Sequence, residues 1–288
     1  MAVGFLCVGA AKAGTSWLHR QLAAHPECHF RAIKELHYFN ALENDKLFDE
    51  LKKHHDQQKA LLERVALSGR APGREQGIRL ADRAAWMDVL ERGAEDTGAY
   101  VDYLHGGAGN ANVVGEMTPA YALLPEKRLA AMANMAPDVR FLYLLRDPVE
   151  RLWSHVRMIA ARRDEQGQVT ERRSARILRR TLSGAESQIV KRSDYAGALA
   201  RLTAAVAPAK LLIEVFEDVV RGDGLARICD FLGVARMSPD PAPVHEGQAL
   251  TMTDKQRRAA LDWLAPQYDA AHRVLGRMPD AWAMEGVR

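Results

Sequence analysis

The N-terminal segment contains the pattern that most restricts the fold of this chain: an apolar run, a glycine-containing turn and an amphipathic stretch. Residues 3–8 (VGFLCV) form a short apolar run that ends at a glycine, which is typical of a central strand in a parallel sheet. From Thr15, apolar residues recur at helical spacing until a His-Pro pair at 25–26, which predicts a helix that ends there. Residues 9–16 (GAAKAGTS) are therefore predicted to join a buried strand to the start of a helix.

Further strand and helix patterns alternate along the chain. Apolar runs at residues 113–116, 139–145 and 211–215 predict strands, and amphipathic stretches between them predict helices. Such alternation implies βαβ units, so we predict an α/β fold with a P-loop-like central parallel sheet flanked by helices, in a single domain over residues 1–288. Residues 41–110 are rich in charge and mostly helical in pattern, and we expect a helical insertion or lid that shapes an acceptor site.

The turn at residues 9–16 has the composition of an anion-binding loop. Backbone N–H groups at a helix start point toward an anion, and glycines let the backbone approach it closely. Lys12 adds a positive charge, and Thr15 and Ser16 add hydroxyl donors. The spacing is similar to the nucleotide-triphosphatase loop G-x-x-x-x-G-K-[ST], but here the lysine precedes the second glycine. In addition, the strongest predicted strand, residues 139–145, is followed by Arg146 and not by an aspartate that could bind magnesium. The pattern favours an anionic nucleotide bound without an obvious metal; the alternative is an ordinary strand-to-helix turn with an incidental lysine.

A second candidate anion site begins where the strongest predicted strand ends, in residues 146–154 (RDPVERLWS). Arg146 would lie at the carboxyl edge of the sheet, where α/β folds bind ligands, and Ser154 about two turns into the next helix. Pro148 suits the first turn of that helix. A guanidinium and a hydroxyl so placed can hold one phosphate group, although an Arg146–Asp147 pair that caps the helix is an equally good structural interpretation.

Together these segments resemble the sulfotransferase family that uses 3′-phosphoadenosine 5′-phosphosulfate (PAPS). AKAGTSWL (residues 11–18) resembles the family's 5′-phosphosulfate loop, and RDPVERLWS resembles its 3′-phosphate motif. KELHYF (34–39) and GEMTPAY (115–121) resemble segments of the branch related to heparan sulfate and bacterial glycan sulfotransferases, and residues 211–234 resemble the family's last strand–helix unit. The resemblance implies an enzyme for which PAPS is the donor and 3′-phosphoadenosine 5′-phosphate (PAP) the product.

The resemblance also implies a role for each residue that matches a motif. Lys12 matches the lysine that contacts the 5′-phosphate and the bridging oxygen, and Trp17 matches an aromatic that stacks on adenine, although a core aromatic is an equal alternative. Glu35 matches the proposed general base and His37 the neighbouring active-site histidine. The implied donor-binding set is Lys12, Ala13, Gly14, Thr15, Ser16, Trp17, Arg146 and Ser154.

Sulfuryl transfer needs a positive charge at the bridging oxygen and a base for the acceptor proton. By analogy with phosphoryl transfer, positioning and electrostatic stabilisation carry most of the acceleration. Lys12 is the candidate for the charge, and Glu35 is the first candidate for the base. His37 would share a face with Glu35 in an extended segment and is the second candidate. Alternatively, Glu35 only pairs with Lys34 or Lys12.

Two positions depart from the family pattern. Met117 stands where the branch has a lysine, so one cationic contact is absent or supplied elsewhere. Residues 245–248 (HEGQ) stand roughly where a basic loop closes over the nucleotide, but they include neither Arg nor Lys. These departures leave room for a catalytically inactive nucleotide-binding relative; a P-loop small-molecule kinase that uses ATP and magnesium is the other alternative.

Composition limits the partners. Lys+Arg 40 against Asp+Glu 37 gives a net charge of +3, which does not predict nucleic-acid binding, and no apolar run reaches the length of a membrane span. Three widely spaced cysteines predict reduced thiols in the cytoplasm, and no metal is expected. The predicted partner is a small-molecule or glycan acceptor, and the sequence does not indicate the oligomeric state. Residues 157–180 contain eight arginines and form either solvated helix faces or a surface for an acidic acceptor.

Two groups of residues in the predicted insertion give weaker indications of a function. His54 and His55 have no partner at metal spacing and are predicted to lie on the surface. Trp86, Tyr100 and Tyr103 either line an acceptor groove or pack in the core.

Overall fold

The computed structural model describes residues 2–240, 242 and 250–282, and in this part of the chain five strands form one sheet. Every neighbouring pair of strands is parallel, and the order β2-β3-β1-β4-β5 puts the first strand at the centre. The strands are β1 (Val3–Gly9), β2 (Cys28–Phe30), β3 (Val113–Met117), β4 (Val139–Leu145) and β5 (Leu211–Val215).

The two central strands are buried on both faces, which explains why they are apolar almost without interruption. Phe5, Cys7 and Val8 in β1 are fully buried, and in β4 only Arg140 is partly exposed. The α/β prediction with a parallel central sheet is therefore confirmed, and the four predicted strands agree with the observed ones to within a residue at each end.

Helices cover both faces of the sheet and account for most of the remaining chain. No helix in the described ranges is long and apolar enough to cross a membrane. The helices are α1 (Thr15–Ala23), α2 (Tyr38–Glu43), α3 (Leu47–Leu67), α4 (Arg74–Leu90), α5 (Thr97–His105), α6 (Glu126–Ala133), α7 (Pro148–Arg162), α8 (Glu171–Leu182), α9 (Ser187–Ser193), α10 (Tyr195–Ala205), α11 (Phe216–Arg221), α12 (Gly224–Leu232) and α13 (Asp254–Leu275).

A second, smaller core lies away from the sheet, where α7 packs against α8, α9 and α13. Leu152, Trp153 and Val156 of α7 are buried there with Ile177 and Leu264.

Residues 41–110 are mostly helical, and Trp86, Tyr100 and Tyr103 within them belong to the core. Trp86 and Tyr100 are fully buried, and Tyr100 stacks on Tyr38 with ring centroids 5.1 Å apart. The surface prediction for His54 is wrong: its side chain is buried between α3 and α4, where Arg83 Nη1 donates to its Nδ1 at 2.8 Å. His54 shares the helix face of Leu51, Leu61 and Val65, and this 3–4 spacing is the signal that could have predicted its burial.

Candidate active site

The loops that follow β1 and β4 define the candidate site. The two strands are neighbours and parallel, so their carboxyl ends lie at the same edge of the sheet. The chain after β1 leads to the edge strand β2 on one side, whereas the chain after β4 leads to β5 on the other. In open α/β sheets, the crevice at such a reversal is where ligands bind.

The loop after β1 presents the start of α1 to this crevice. Lys12 and Gly14 both have left-handed backbones, with φ of 71° and 83°, and turns of this kind can present successive N–H groups to an anion. The N–H of Ala13 bonds to the carbonyl of Ala10 at 3.1 Å, and α1 begins at Thr15. The first N–H groups of a helix have no partner within it, so this end of α1 can bind an anion.

Gly14 is required by both its conformation and its neighbour. A Cβ placed on it would collide with the ring of Phe216, the first residue of α11. The same ring packs edge-on against Trp17, with centroids 6.2 Å apart, and lies 5.8 Å from the guanidinium carbon of Arg146. Phe216 thus supports the loop from behind; sequence reasoning did not identify it, because the contact joins segments far apart in the chain.

Lys12 lies half-buried among other cations. In the described ranges, no acidic side chain pairs with its ammonium group. Burial, and then the charges of Arg162, Arg146, Arg157 and Lys34, lower its pKa. Such a concentration of positive charge fits a ligand that carries several negative charges.

Lys34 contributes a cation that the sequence analysis did not assign. Its Nζ lies 3.4 Å from the hydroxyl oxygen of Thr15 and 3.0 Å from Oε1 of Glu35. Lys34 therefore bridges the anion-binding loop and the candidate base. Met117, which stands where a lysine was expected, is fully buried at the end of β3. The cation next to Thr15 is supplied by Lys34 instead.

Arg146 and Asp147 do not pair with each other, although they are adjacent in sequence. Asp147 caps α7 by accepting from the N–H of Glu150 at 2.9 Å, and it also accepts from the hydroxyl of Tyr268 at 2.8 Å. Arg146 instead donates from Nη1 to the carbonyl oxygen of Lys12 at 3.4 Å. The guanidinium has no carboxylate partner in the part of the chain that is described, so its charge is available to an anionic ligand.

Ser154 and Trp17, which were also predicted to bind the donor, differ in how accessible their side chains are. Ser154 is half-buried on α7, and its hydroxyl forms no hydrogen bond to another described residue. The indole of Trp17 is only 5% exposed, and its N–H donates to the carbonyl of Asp240 at 2.9 Å. This packing leaves little of the Trp17 ring for adenine and agrees with the alternative of a core aromatic.

Glu35 and His37 are brought together in front of the loop. Nε2 of His37 lies 3.4 Å from Oε2 of Glu35. Burial would raise the pKa of Glu35, but the hydrogen bond from His37 and the charge of Lys34 outweigh it and lower that pKa to about 2. Burial would lower the pKa of His37, and its pairing with Glu35 outweighs this and raises it. The two groups therefore titrate as a pair in which the proton resides on the histidine.

Asn40 contacts the other nitrogen of His37. The side-chain amide N–H of Asn40 donates to the carbonyl of Ala120 at 3.3 Å, which turns its Oδ1 toward His37 Nδ1 at 3.4 Å. With an acceptor at each nitrogen, the imidazolium form of His37 is favoured.

The GEMTPAY segment holds the backbone next to Glu35. The carboxylate of Glu116 is buried and accepts four hydrogen bonds: from the hydroxyls of Tyr100 (2.6 Å), Tyr121 (2.8 Å) and Thr118 (2.7 Å), and from the N–H of Leu36 (3.2 Å). Burial raises the pKa of Glu116, although these four donors oppose the shift. Because Leu36 stands between Glu35 and His37, this buried carboxylate fixes the position of the candidate base.

An open cleft of about 460 Å³ adjoins His37 on the side of α2 and α3. Its wall contains imidazole, amide, ammonium and carboxylate groups, and none of its lining residues is Phe, Tyr or Trp. The lining residues are His37, Asn40, Ala41, Asn44, Lys46, Asp49, Glu50 and Lys53. Residues 245–248, which stand where the family's closing loop is expected, lie outside the described residues.

Comparison with known proteins agrees with this geometry. A family model described as "Sulfotransferase family" matches residues 5–239. No curated protein was found to match the chain. Among solved structures, a sulfotransferase from Alicyclobacillus acidocaldarius superposes with a TM-score of 0.64 at 23% identity, over 99% of this chain and 100% of that chain.

Two further solved structures have the same fold. The sulfotransferase domain of the Synechococcus PCC 7002 olefin synthase superposes with a TM-score of 0.53 at 17% identity, over 93% of this chain and 94% of that one. The sulfotransferase domain from the curacin biosynthetic pathway gives a TM-score of 0.52 at 17% identity, over 93% and 90% of the two chains.

Proposed function

The chain belongs to the sulfotransferase family, and we propose that it transfers a sulfuryl group from PAPS to a hydroxyl or amine of a small-molecule or glycan acceptor. The observation that carries this proposal is the group of cations at the start of α1. Lys12, Lys34 and Arg146 converge there, and Lys12 and Arg146 have no acidic partner among the described residues.

The two ends of the donor match two separate anchors. We assign the 5′-phosphosulfate to the loop of Lys12, Ala13, Gly14, Thr15 and Ser16, and the 3′-phosphate to Arg146 and Ser154. The hydrogen bond from Arg146 to the Lys12 carbonyl supports this assignment, because it keeps both anchors within the reach of one nucleotide.

The residues would divide the chemistry as follows. When bound, PAPS supplies the sulfuryl group and leaves as PAP. Lys12 stabilises the negative charge that develops on the bridging oxygen as the sulfur–oxygen bond breaks. Lys34, held by Thr15 and Glu35, adds a second positive charge at the same end of the loop.

The acceptor proton passes to the Glu35–His37 pair. A carboxylate with a pKa of about 2 is a weak base at neutral pH, whereas deprotonated His37 is much stronger. We therefore assign the base to Nδ1 of His37, which has only a long contact to Asn40, and we assign to Glu35 the task of holding Nε2–H. His37 lines the polar cleft, and we place the acceptor there.

Three broader proposals accompany this one. The chain acts as a single domain, and residues 41–110 shape the acceptor site through α2 and α3, whose side chains line the cleft. The protein works in a reducing compartment, the cytoplasm, which is supported by three free cysteines.

Nucleotide selectivity tests the proposal directly. We expect thermal stabilisation by PAP in the absence of metal, and release of PAP from PAPS when sulfate acceptors are supplied. Arg146→Ala should weaken PAP binding more than tenfold but leave adenosine 5′-monophosphate, which lacks the 3′-phosphate, nearly unchanged. Arg179→Ala on the exposed face of α8 removes the same charge and serves as the control.

Three outcomes would contradict the proposal. Stabilisation only by ATP with magnesium would identify a small-molecule kinase. Stabilisation by no nucleotide would identify an inactive relative. If Arg146→Ala lost the same affinity for PAP and for adenosine 5′-monophosphate, Arg146 would not be the residue that binds the 3′-phosphate.

A further inference from the structure

Two arginines on helices beside the candidate site, Arg162 and Arg192, have no acidic partner among the described residues, as is also true of the exposed Arg172, Arg176 and Arg179 on α8. Arg163 and Arg180 pair with Glu186, at 2.7 and 2.9 Å, and Arg173 pairs with Asp164 at 2.6 Å. Neither Arg162, the last residue of α7, nor Arg192, on α9, forms an ion pair with any described residue. The two acidic residues Asp164 and Glu186 are therefore already paired with other arginines.

Arg192 lies at the active site. It lines a small cavity together with Ala10 and Ala11 of the anion-binding loop. Asp194 lines the same cavity, but its carboxylate caps α10 by accepting from the N–H of Gly197 and forms no ion pair with Arg192. Its guanidinium is half-buried and bonds only to Gln188, through the side-chain oxygen and the backbone carbonyl. The Nε–H and both N–H groups of Nη2, three of its five donors, therefore have no protein partner among the described residues.

Arg162 adds to the same positive region. α7 packs against α9, and the charge of Arg162 acts on both Lys12 and Arg192. Glu35 is the acidic group whose charge acts on Arg192. Its carboxylate is already bonded to Lys34 and His37, so it does not neutralise the two arginines.

We propose that Arg162 and Arg192 form an anion subsite that binds a carboxylate or phosphate group of the sulfate acceptor. The inference rests on the proposed function, because it concerns the acceptor of that same site. It narrows the acceptor to a hydroxyl or amine compound that carries a negative charge of its own. The donor's own charged groups are already matched, at one end by the Lys12 loop and at the other by Arg146 and Ser154.

The physical reason is charge balance. Two like charges held close together without a counterion destabilise each other, and a bound anion relieves this repulsion. A guanidinium can also bind a carboxylate or phosphate through two parallel hydrogen bonds, which orients the ligand as well as binding it. An acceptor held in this way would present its hydroxyl to the Glu35–His37 pair.

Matched ligands test the subsite in the PAP-saturated protein, where the donor's phosphate positions are filled. The probes are three pairs that differ in charge: 4-hydroxybenzoate and 4-hydroxybenzamide, glucuronate and glucuronamide, and glycerol 3-phosphate and glycerol. We expect the anionic members to bind at least tenfold tighter than their neutral partners, as measured by calorimetry. The first two pairs test a carboxylate, and the third tests a phosphate.

Variants then connect the preference to the two arginines. In Arg162→Gln/Arg192→Gln the anionic advantage should disappear, whereas the loss of PAP affinity should stay well below the more than tenfold loss expected in Arg146→Ala, because Arg162 acts on Lys12 only through its charge. Arg179→Gln, an exposed arginine on α8, should retain the advantage. Equal binding of anionic and neutral probes, or an advantage that survives in the double variant, would overturn the inference.

The two proposals can fail separately. A loss of PAP affinity in the double variant as large as in Arg146→Ala would move these arginines to the donor site, and the proposed function would stand. A wild-type protein that does not bind PAP would instead contradict the proposed function itself.

Discussion

The guanidinium of Arg146 donates a hydrogen bond to the backbone carbonyl of Lys12 across 3.4 Å, although 134 positions separate the two residues. They meet because β1 and β4 are parallel neighbours whose carboxyl ends lie together. The bond holds two positive charges side by side, and the charge of Arg146 contributes to the lowered pKa of Lys12. If these residues had been on opposite faces of the molecule, no single nucleotide would reach both.

Removal of the Lys12 ammonium should abolish most turnover. We expect Lys12→Met to lower kcat by about 100- to 1000-fold, which is typical of losing one group that stabilises charge in a transition state. Steady-state kinetics with labelled PAPS would measure the loss. Lys59→Met, on the exposed face of α3, is the matched control, and unchanged activity in Lys12→Met would remove Lys12 from the mechanism.

The Glu35–His37 pair should determine the pH dependence of turnover. Since Glu35 raises the pKa of His37, the active, deprotonated form of His37 should accumulate only above about pH 6.5, its ordinary pKa. The rate should therefore rise with pH through that region. Glu35→Gln removes the charge that raises the pKa, so its rising limb should move to lower pH.

The same profiles distinguish the two candidate bases. His37→Gln should lose the rising limb altogether. A wild-type rate that is flat between pH 5 and 9, together with an inactive Glu35→Gln, would identify Glu35 as the base, because a carboxyl group with a pKa of about 2 is ionised throughout that range.

Substitution of Gly14 should destabilise the fold. Gly14→Ala puts a Cβ on a residue with φ of 83° and drives it into the Phe216 ring, which should cost on the order of 2–4 kcal/mol. Urea denaturation would measure this. Gly77→Ala is the control: it lies inside α4, nothing lies within 4 Å of its added Cβ, and it should stabilise the protein by about 0.5–1 kcal/mol.

Glu116→Gln should be strongly destabilising although it changes only one atom. The carboxylate accepts two bonds at each oxygen. In the amide, a nitrogen at the Oε2 position would face the N–H of Leu36, which can only donate, and a nitrogen at the Oε1 position would require the hydroxyls of Tyr100 and Tyr121 to turn and accept; in both cases bonds to a charged acceptor are lost. We expect a loss of about 2–4 kcal/mol in the free energy of unfolding. Tyr121→Phe removes one donor and should cost about 1 kcal/mol; similar values for the two variants would show that the four bonds are not coupled.

Local patterns were sufficient to predict the strands and the first helix. Residues 139–145 were predicted as a strand and are β4, because a strand buried on both faces needs an unbroken apolar run. The start of α7 at Pro148 was predictable because the first residues of a helix need no N–H donor, so proline is favoured there. Asp147 caps the helix by accepting from the N–H of Glu150, as aspartate commonly does before a helix.

Contacts between distant segments were beyond such patterns. The direction of the Lys34 side chain depends on Thr15 across the sheet edge, and the clash that requires a glycine at position 14 comes from Phe216. The buried role of Glu116 also needs Tyr100 and the N–H of Leu36, which come from two other segments, and no spacing in the GEMTPAY segment indicates these two partners. Such residues are recognised only when the fold brings their partners together.

The proposed donor-binding loops follow β1 and β4, whose last five residues are all buried, whereas much of the cleft wall belongs to the exposed side of α2 and α3. Substitutions at Asn44, Lys46, Asp49 and Lys53 replace solvated side chains and should leave the free energy of unfolding almost unchanged. A library confined to these four positions would therefore vary the proposed acceptor cleft while leaving the fold intact, which makes this rim the natural starting point for redesign.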